Sequence, residues 1–169
     1  MTSEQPPQSG EPASTKPTKP LGATEIFYRR LFEATESPDE CLAPLPRGSE
    51  TVLLVEDASW LRELIRQCLH GFGYTVLEAA HGEEAIRVAE THQGPIHLLV
   101  ADLVLPGISG RRLAARIAAL KPGLKLLYMS GYTAEAVVEH GVLDLGTPFL
   151  QKPFQPGTLA RKVREVLDQ

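Results

Sequence analysis

LLVADLVLPGISG, residues 98–110, runs four apolar residues into Asp102, then passes through Pro106 and Gly107 to Gly110, where a helical pattern begins. A short, continuously apolar run of this kind predicts a strand of a sheet covered on both faces, because a sheet with one wet face alternates apolar and polar residues. The strand is predicted over His97–Ala101, and the turn and helix after it (about 110–120) complete one β–α unit. The aspartate stands where the strand ends.

The same texture recurs on both sides of this unit. Thr51–Val55, Tyr74–Ala79, Leu124–Met129 and Phe149–Gln151 are the other predicted strands. Between the first two, Trp60, Leu61, Leu64, Ile65, Cys68, Leu69 and Phe72 recur at helical spacing, with Gly71 and Gly73 placed to end the helix. Further helices are predicted over about 82–92, about 133–140, and from Pro156, a residue suited to a first helical turn, where Leu159, Val163, Val166 and Leu167 form the apolar face. Short strands alternating with helices give an α/β fold, a (βα)5 doubly wound five-stranded parallel sheet, and right-handed crossovers favour the flavodoxin-like order 2-1-3-4-5.

Residues 1–49 read differently. Eight of the fourteen prolines fall in the first 46 residues, and residues 1–20 hold no aromatic side chain. Such a segment cannot bury enough apolar surface to offset chain entropy, so 1–49 is expected to be a disordered tail and linker, and 50–169 the single folded domain. Ile26, Phe27, Tyr28, Leu31 and Phe32 suggest at most an amphipathic turn or two. The net charge of -4 supplies no basic field for a polyanion, which argues against nucleic acid as a partner. No apolar run reaches the roughly 20 residues that cross a bilayer, and no secretory signal opens the chain, so the expected location is the cytoplasm, without a membrane partner. Cys41 and Cys68 have no metal-ligand spacing, and Cys68, on an apolar helix face, is expected to be a buried, inert thiol. The five histidines pair with no nucleophile or metal set and are expected at the surface.

Ligands of doubly wound sheets bind at the carboxyl ends of the strands. Here those ends carry Glu56 and Asp57, Asp102, Ser130, and Lys152. Three converging acids repel one another and raise their own pKa values unless a cation neutralises them. Oxygen ligands with room for water or phosphate suit Mg2+, and the absence of Cys or His among these ends disfavours zinc. A carboxylate can be the nucleophile of phosphoryl transfer, where catalysis is mostly positioning and charge neutralisation. On this reading Asp102 attacks phosphorus, Mg2+ held by Asp57 and Asp102 binds one phosphoryl oxygen, Lys152 pairs with a second, and Ser130 hydrogen-bonds a third.

VLLVED (52–57), LLVADLVLPGISG (98–110), YMSGYT (128–133) and FLQKPF (149–154) together resemble the response-regulator receiver family over essentially all of Glu50–Gln169. The resemblance implies a phosphoacceptor module of two-component or phosphorelay signalling. In it Asp102 accepts the phosphoryl group, Asp57 is a direct Mg2+ ligand, Glu56 acts through water, and the backbone carbonyl of Val104 completes the metal site. Ser130 and Phe149 would be the switch pair, Phe149 lying three residues before Lys152. Serine stands at 130 where many receivers have threonine, and Leu105 precedes Pro106 where methionine is common; neither change removes a needed atom.

LYMSGYT, EHGVLDLGTPFLQKPF and LARKVREVLD are especially similar to receivers at the C-terminus of hybrid sensor histidine kinases, and GATEIFYRR (22–30) resembles the last strand of a kinase ATP-binding domain. The implied partners are a sensor histidine kinase or phosphotransfer protein upstream. Downstream, a protein would be met by the face of the fourth helix, fifth strand and fifth helix, with no output domain on this chain. Chemistry is expected to stop at Mg2+-dependent self-phosphorylation and autodephosphorylation. An aspartyl-phosphate phosphohydrolase needs a general acid two residues after its nucleophile, and Val104 occupies that place.

Overall fold

The computed structural model describes residues 22–33 and 45–169. Five strands, β1 (Thr51–Val55), β2 (Thr75–Ala79), β3 (Leu98–Asp102), β4 (Lys125–Ser130) and β5 (Phe149–Gln151), form one parallel sheet in the order β2-β1-β3-β4-β5. Six helices accompany them: α1 (Ala23–Glu33), α2 (Ser59–Gly71), α3 (Gly82–Thr91), α4 (Gly110–Leu120), α5 (Ala134–Glu139) and α6 (Pro156–Leu167). The helices expected fourth and fifth are therefore α5 and α6. This is the expected flavodoxin-like order.

Successive strand residues point to opposite faces, so each strand feeds two cores. Leu53, Val55, Leu99, Ala101 and Tyr128 pack with α3, α4 and α5 on one face. Val52, Leu54, Leu98, Val100, Leu127, Met129 and Leu150 pack with α2 and α6 on the other. The helices bury the stripes their spacing predicts: Leu61, Ile65 and Leu69 of α2 are almost inaccessible, each contributing about 1.5–3 kcal/mol of transfer free energy. Local chemistry sets the helix ends. Gly73 takes φ 99 just past α2, where its N–H donates to the His70 carbonyl. His81, Ser109 and Thr133 cap α3, α4 and α5 by accepting from backbone N–H groups.

α1 departs from the expected disordered tail. Ala23–Glu33 is helical, supported by an Arg29–Glu25 pair at 3.1 Å, and Tyr28 is 4% exposed in the core beneath α2 and α6. The segment GATEIFYRR is therefore helical from Ala23 onward and not a strand. Tyr28 is held by rings far along the chain: Trp60 at a centroid distance of 5.4 Å and Phe154 at 6.2 Å. Composition alone does not show such a seat. The rest of the expected tail, residues 1–21 and 34–44, lies outside the described residues, as does Cys41.

Among the described residues, no helix is long and apolar enough to cross a membrane. Cys68 is half-buried against the α2 core, and burial raises its thiol pKa to about 11. His97 does more than decorate the surface, since its Nδ1 accepts the Thr51 N–H at 2.9 Å where β1 begins.

Candidate phosphorylation site

The register of the sheet brings the predicted residues to one edge. Val55 pairs with Ala79 and Ala101, Asp102 with Met129, and Ser130 with Gln151, so β1, β3, β4 and β5 end close together. Glu56 and Asp57 follow β1, Asp102 and Ser130 close β3 and β4, and Lys152 follows β5.

Glu56, Asp57 and Asp102 each offer a carboxylate oxygen within 4.8 Å of the others. Lys152 reaches into this group, with Nζ 2.6 Å from Glu56 Oε2 and 2.6 Å from Asp102 Oδ2. The neighbours Glu56 and Asp57 live in different media: Glu56 is 2% exposed, whereas Asp57 faces solvent. Burial pushes the Glu56 carboxyl above its usual range, opposed by the Lys152 ammonium. Burial also works against the charge of Lys152, but Glu56 and Asp102 more than restore it and hold its pKa above the ordinary value. One ammonium facing three carboxylates leaves about two negative charges, which suits a hard divalent ion. The donor set therefore fits Mg2+, with Asp57 open to water on its rim.

Backbone groups fix the acids. Asp102 Oδ1 accepts the Val104 N–H at 2.9 Å, and Glu56 Oε1 accepts the Ala58 N–H at 3.2 Å. Ser130 Oγ accepts the Tyr132 N–H at 3.2 Å, which leaves its hydroxyl proton available, and the Ser130 carbonyl accepts the Lys152 N–H at 2.7 Å. Gly110 explains itself here: a Cβ on it would stand 2.6 Å from the Asp102 carbonyl oxygen and 3.1 Å from Leu103 Cα. Sequence reasoning missed Arg62, whose guanidinium donates to the Glu56 carbonyl at 2.6 Å, and nothing in its spacing marks it. It also missed Tyr28, whose hydroxyl pKa is raised by burial first and then by the charges of Glu56 and Asp102.

Phe149 stands apart from the acids. It is half-buried, packed against the α3–α4–α5 core, and shares a hollow of ≈ 440 Å³ with Val137, Val138, Leu143 and Leu145. Leu145 is 90% exposed on its rim.

A five-stranded parallel α/β domain with a carboxylate cluster and one lysine at its strand ends defines a class of small signalling domains. The chain belongs to the response regulator receiver domain family, whose model matches residues 52–164. It is similar to the sensor kinase CckA of Brucella abortus (strain 2308), 34% identical over 154 residues covering 86% of this chain, although the chain spans only 16% of that kinase. It is also similar to the response regulator receiver protein CpdR of the same organism, at 28% identity over 69% of this chain and 95% of that protein. Among solved structures, the receiver domain of a hybrid histidine kinase CckA matches with a TM-score of 0.59 and 36% identity, covering 69% of this chain and 98% of that one. The likeness to the kinase thus extends beyond the receiver, and since the family match ends only five residues before the C-terminus, the added likeness lies upstream.

Proposed function

We propose that this receiver takes a phosphoryl group onto Asp102 from a sensor histidine kinase or a phosphotransfer protein and thereby changes which protein it binds. The observation that carries the reading is Lys152 Nζ held at 2.6 Å from Asp102 Oδ2, beside two further acids. In the transfer, a bond forms between an Asp102 carboxylate oxygen and phosphorus as the P–N bond of the donor phosphohistidine breaks and the imidazole leaves.

Asp102 is aimed by the Val104 N–H on Oδ1 and by the Lys152 ammonium on Oδ2. Lys152 offers its ammonium to the charge that develops on the phosphoryl oxygens, and Ser130 donates its hydroxyl proton to another. Glu56, Asp57, Asp102 and the Val104 carbonyl would hold Mg2+, Glu56 through water. The ion supplies charge neutralisation for a phosphoryl oxygen.

Ser130 and Phe149 are the proposed switch. β4 and β5 are paired, Tyr128 opposite Phe149, so a hydroxyl that turns towards the phosphoryl group alters packing one strand away. The surface that changes is that of α5, β5 and α6, where a downstream protein would dock. Working in the cytoplasm belongs to the same reading.

Incubation with acetyl phosphate and Mg2+ is expected to add one phosphoryl mass to the protein and none to Asp102→Asn. Equal labelling of that variant overturns the assignment. NMR shifts caused by Mg2+ and beryllofluoride, a phosphoryl mimic, should spread from Asp102 into residues 130–150, and less far in Ser130→Ala. Shifts confined to the acids in both proteins reject the switch alone.

A further inference from the structure

We infer that α1 is an autoinhibitory cover on the Lys152 side of the phosphorylation site, seated through Tyr28, and that it limits how readily a phosphodonor reaches Asp102. The inference rests on the reading of Asp102 as the phosphoacceptor. Tyr28 packs on Trp60 and Phe154, and each of these follows site residues closely: Trp60 comes just after Glu56 and Asp57, Phe154 just after Lys152 and Pro153. Phe27 and Tyr28 form one wall of a hollow of ≈ 640 Å³ whose other wall includes Glu56, Trp60, Lys152 and Pro153. Moving α1 away opens that flank of the ammonium and of the carboxylate it holds.

The seat is small. Of the α1 side chains described from Ala23 to Arg30, Tyr28 alone is buried, while Ile26 and Phe27 are 39% and 53% exposed. With Tyr28 as the one buried ring among its described side chains, α1 lies at the edge of the fold, where local opening costs less than in the sheet. The likeness to the sensor kinase reaches upstream of the receiver, into the part of the chain that carries α1. Meanwhile the opposite flank, a separate hollow lined by Asp57, His81 and Pro106, includes none of the described α1 side chains. Mg2+ can therefore reach Asp57 whether α1 is seated or not, and the cover acts on the donor rather than on the ion.

The test uses the full chain, with acetyl phosphate as the donor. Tyr28→Ala removes the anchor, and Arg29→Pro breaks α1 at an exposed position without touching the core. Trp60 is the only tryptophan, so its emission reports whether Tyr28 has left its ring. Both variants are expected to shift that emission, keep the wild-type Mg2+ affinity, and label Asp102 about fivefold faster, the lower range of a typical coupling between sites. An emission shift with unchanged or slower labelling, at unchanged Mg2+ affinity, overturns the cover. Unchanged emission in Arg29→Pro overturns it as well, since α1 is then not held as described. Failure to label wild type and variants alike takes down the phosphoacceptor reading, and the cover with it.

Discussion

Lys152 Nζ sits 2.6 Å from Asp102 Oδ2 while also holding Glu56 Oε2 at 2.6 Å, so a single ammonium ties the ends of β1, β3 and β5. Because Glu56 is almost wholly buried, this cation is structural as well as chemical. Lys152→Met leaves Glu56 with an uncompensated charge in a dry place, which typically costs about 3 kcal/mol. Urea unfolding is expected to show that loss together with poor labelling by acetyl phosphate. An unchanged midpoint would show that the bridge contributes nothing to stability.

Asp57 stands in contrast, exposed and within ligand reach of the other two acids. Asp57→Asn relieves repulsion among three carboxylates, so in EDTA the variant should be at least as stable as the parent. Mg2+ at about a hundred times its dissociation constant should stabilise the parent by roughly 2.7 kcal/mol and the variant far less. Thermal melts with and without the ion check this, and equal shifts in both proteins would remove Asp57 from the ligand set.

Gly110 opens α4 against the carbonyl of Asp102, with no room for a methyl group. Gly110→Ala pushes the end of β3 away from its neighbours, an overpacking that usually costs about 1–3 kcal/mol. Slower labelling should accompany the lost stability, since the displaced atoms belong to the backbone of Asp102, the proposed nucleophile. Wild-type rates and stability would mean that α4 moves away at no cost.

Cys68 carries a thiol whose pKa burial raises from an ordinary 9.0 to about 11. Above pH 9 the unfolded chain releases this proton while the folded one keeps it. The contribution is therefore fully present below pH 9 and is lost as pH rises towards about 11. In a Cys41→Ser background, Cys68 should alkylate slowly with iodoacetamide at pH 8 and rapidly in denaturant. Equal rates in both conditions would refute the burial.

Much of this protein is legible from its residues alone. The continuously apolar strands, the helical spacing of Leu61, Ile65 and Leu69, and Pro156 opening α6 specify a covered parallel sheet, because these patterns are local and the backbone has only two periods to match. The order in which Glu56, Asp57, Asp102, Ser130 and Lys152 appear at successive strand ends follows from the same periodicity. What only the tertiary structure decided concerns pairs far apart in sequence. Glu56 is buried and Asp57 exposed although they are neighbours, Arg62 holds the Glu56 carbonyl, Gly110 meets the Asp102 backbone, and Tyr28 finds Trp60 and Phe154. No period encodes these contacts. They depend on how the sheet twists its strand ends together and on which faces remain uncovered once α2 and α6 have packed, and a proline-rich composition around α1 hides the Tyr28 ring that helps to seat it.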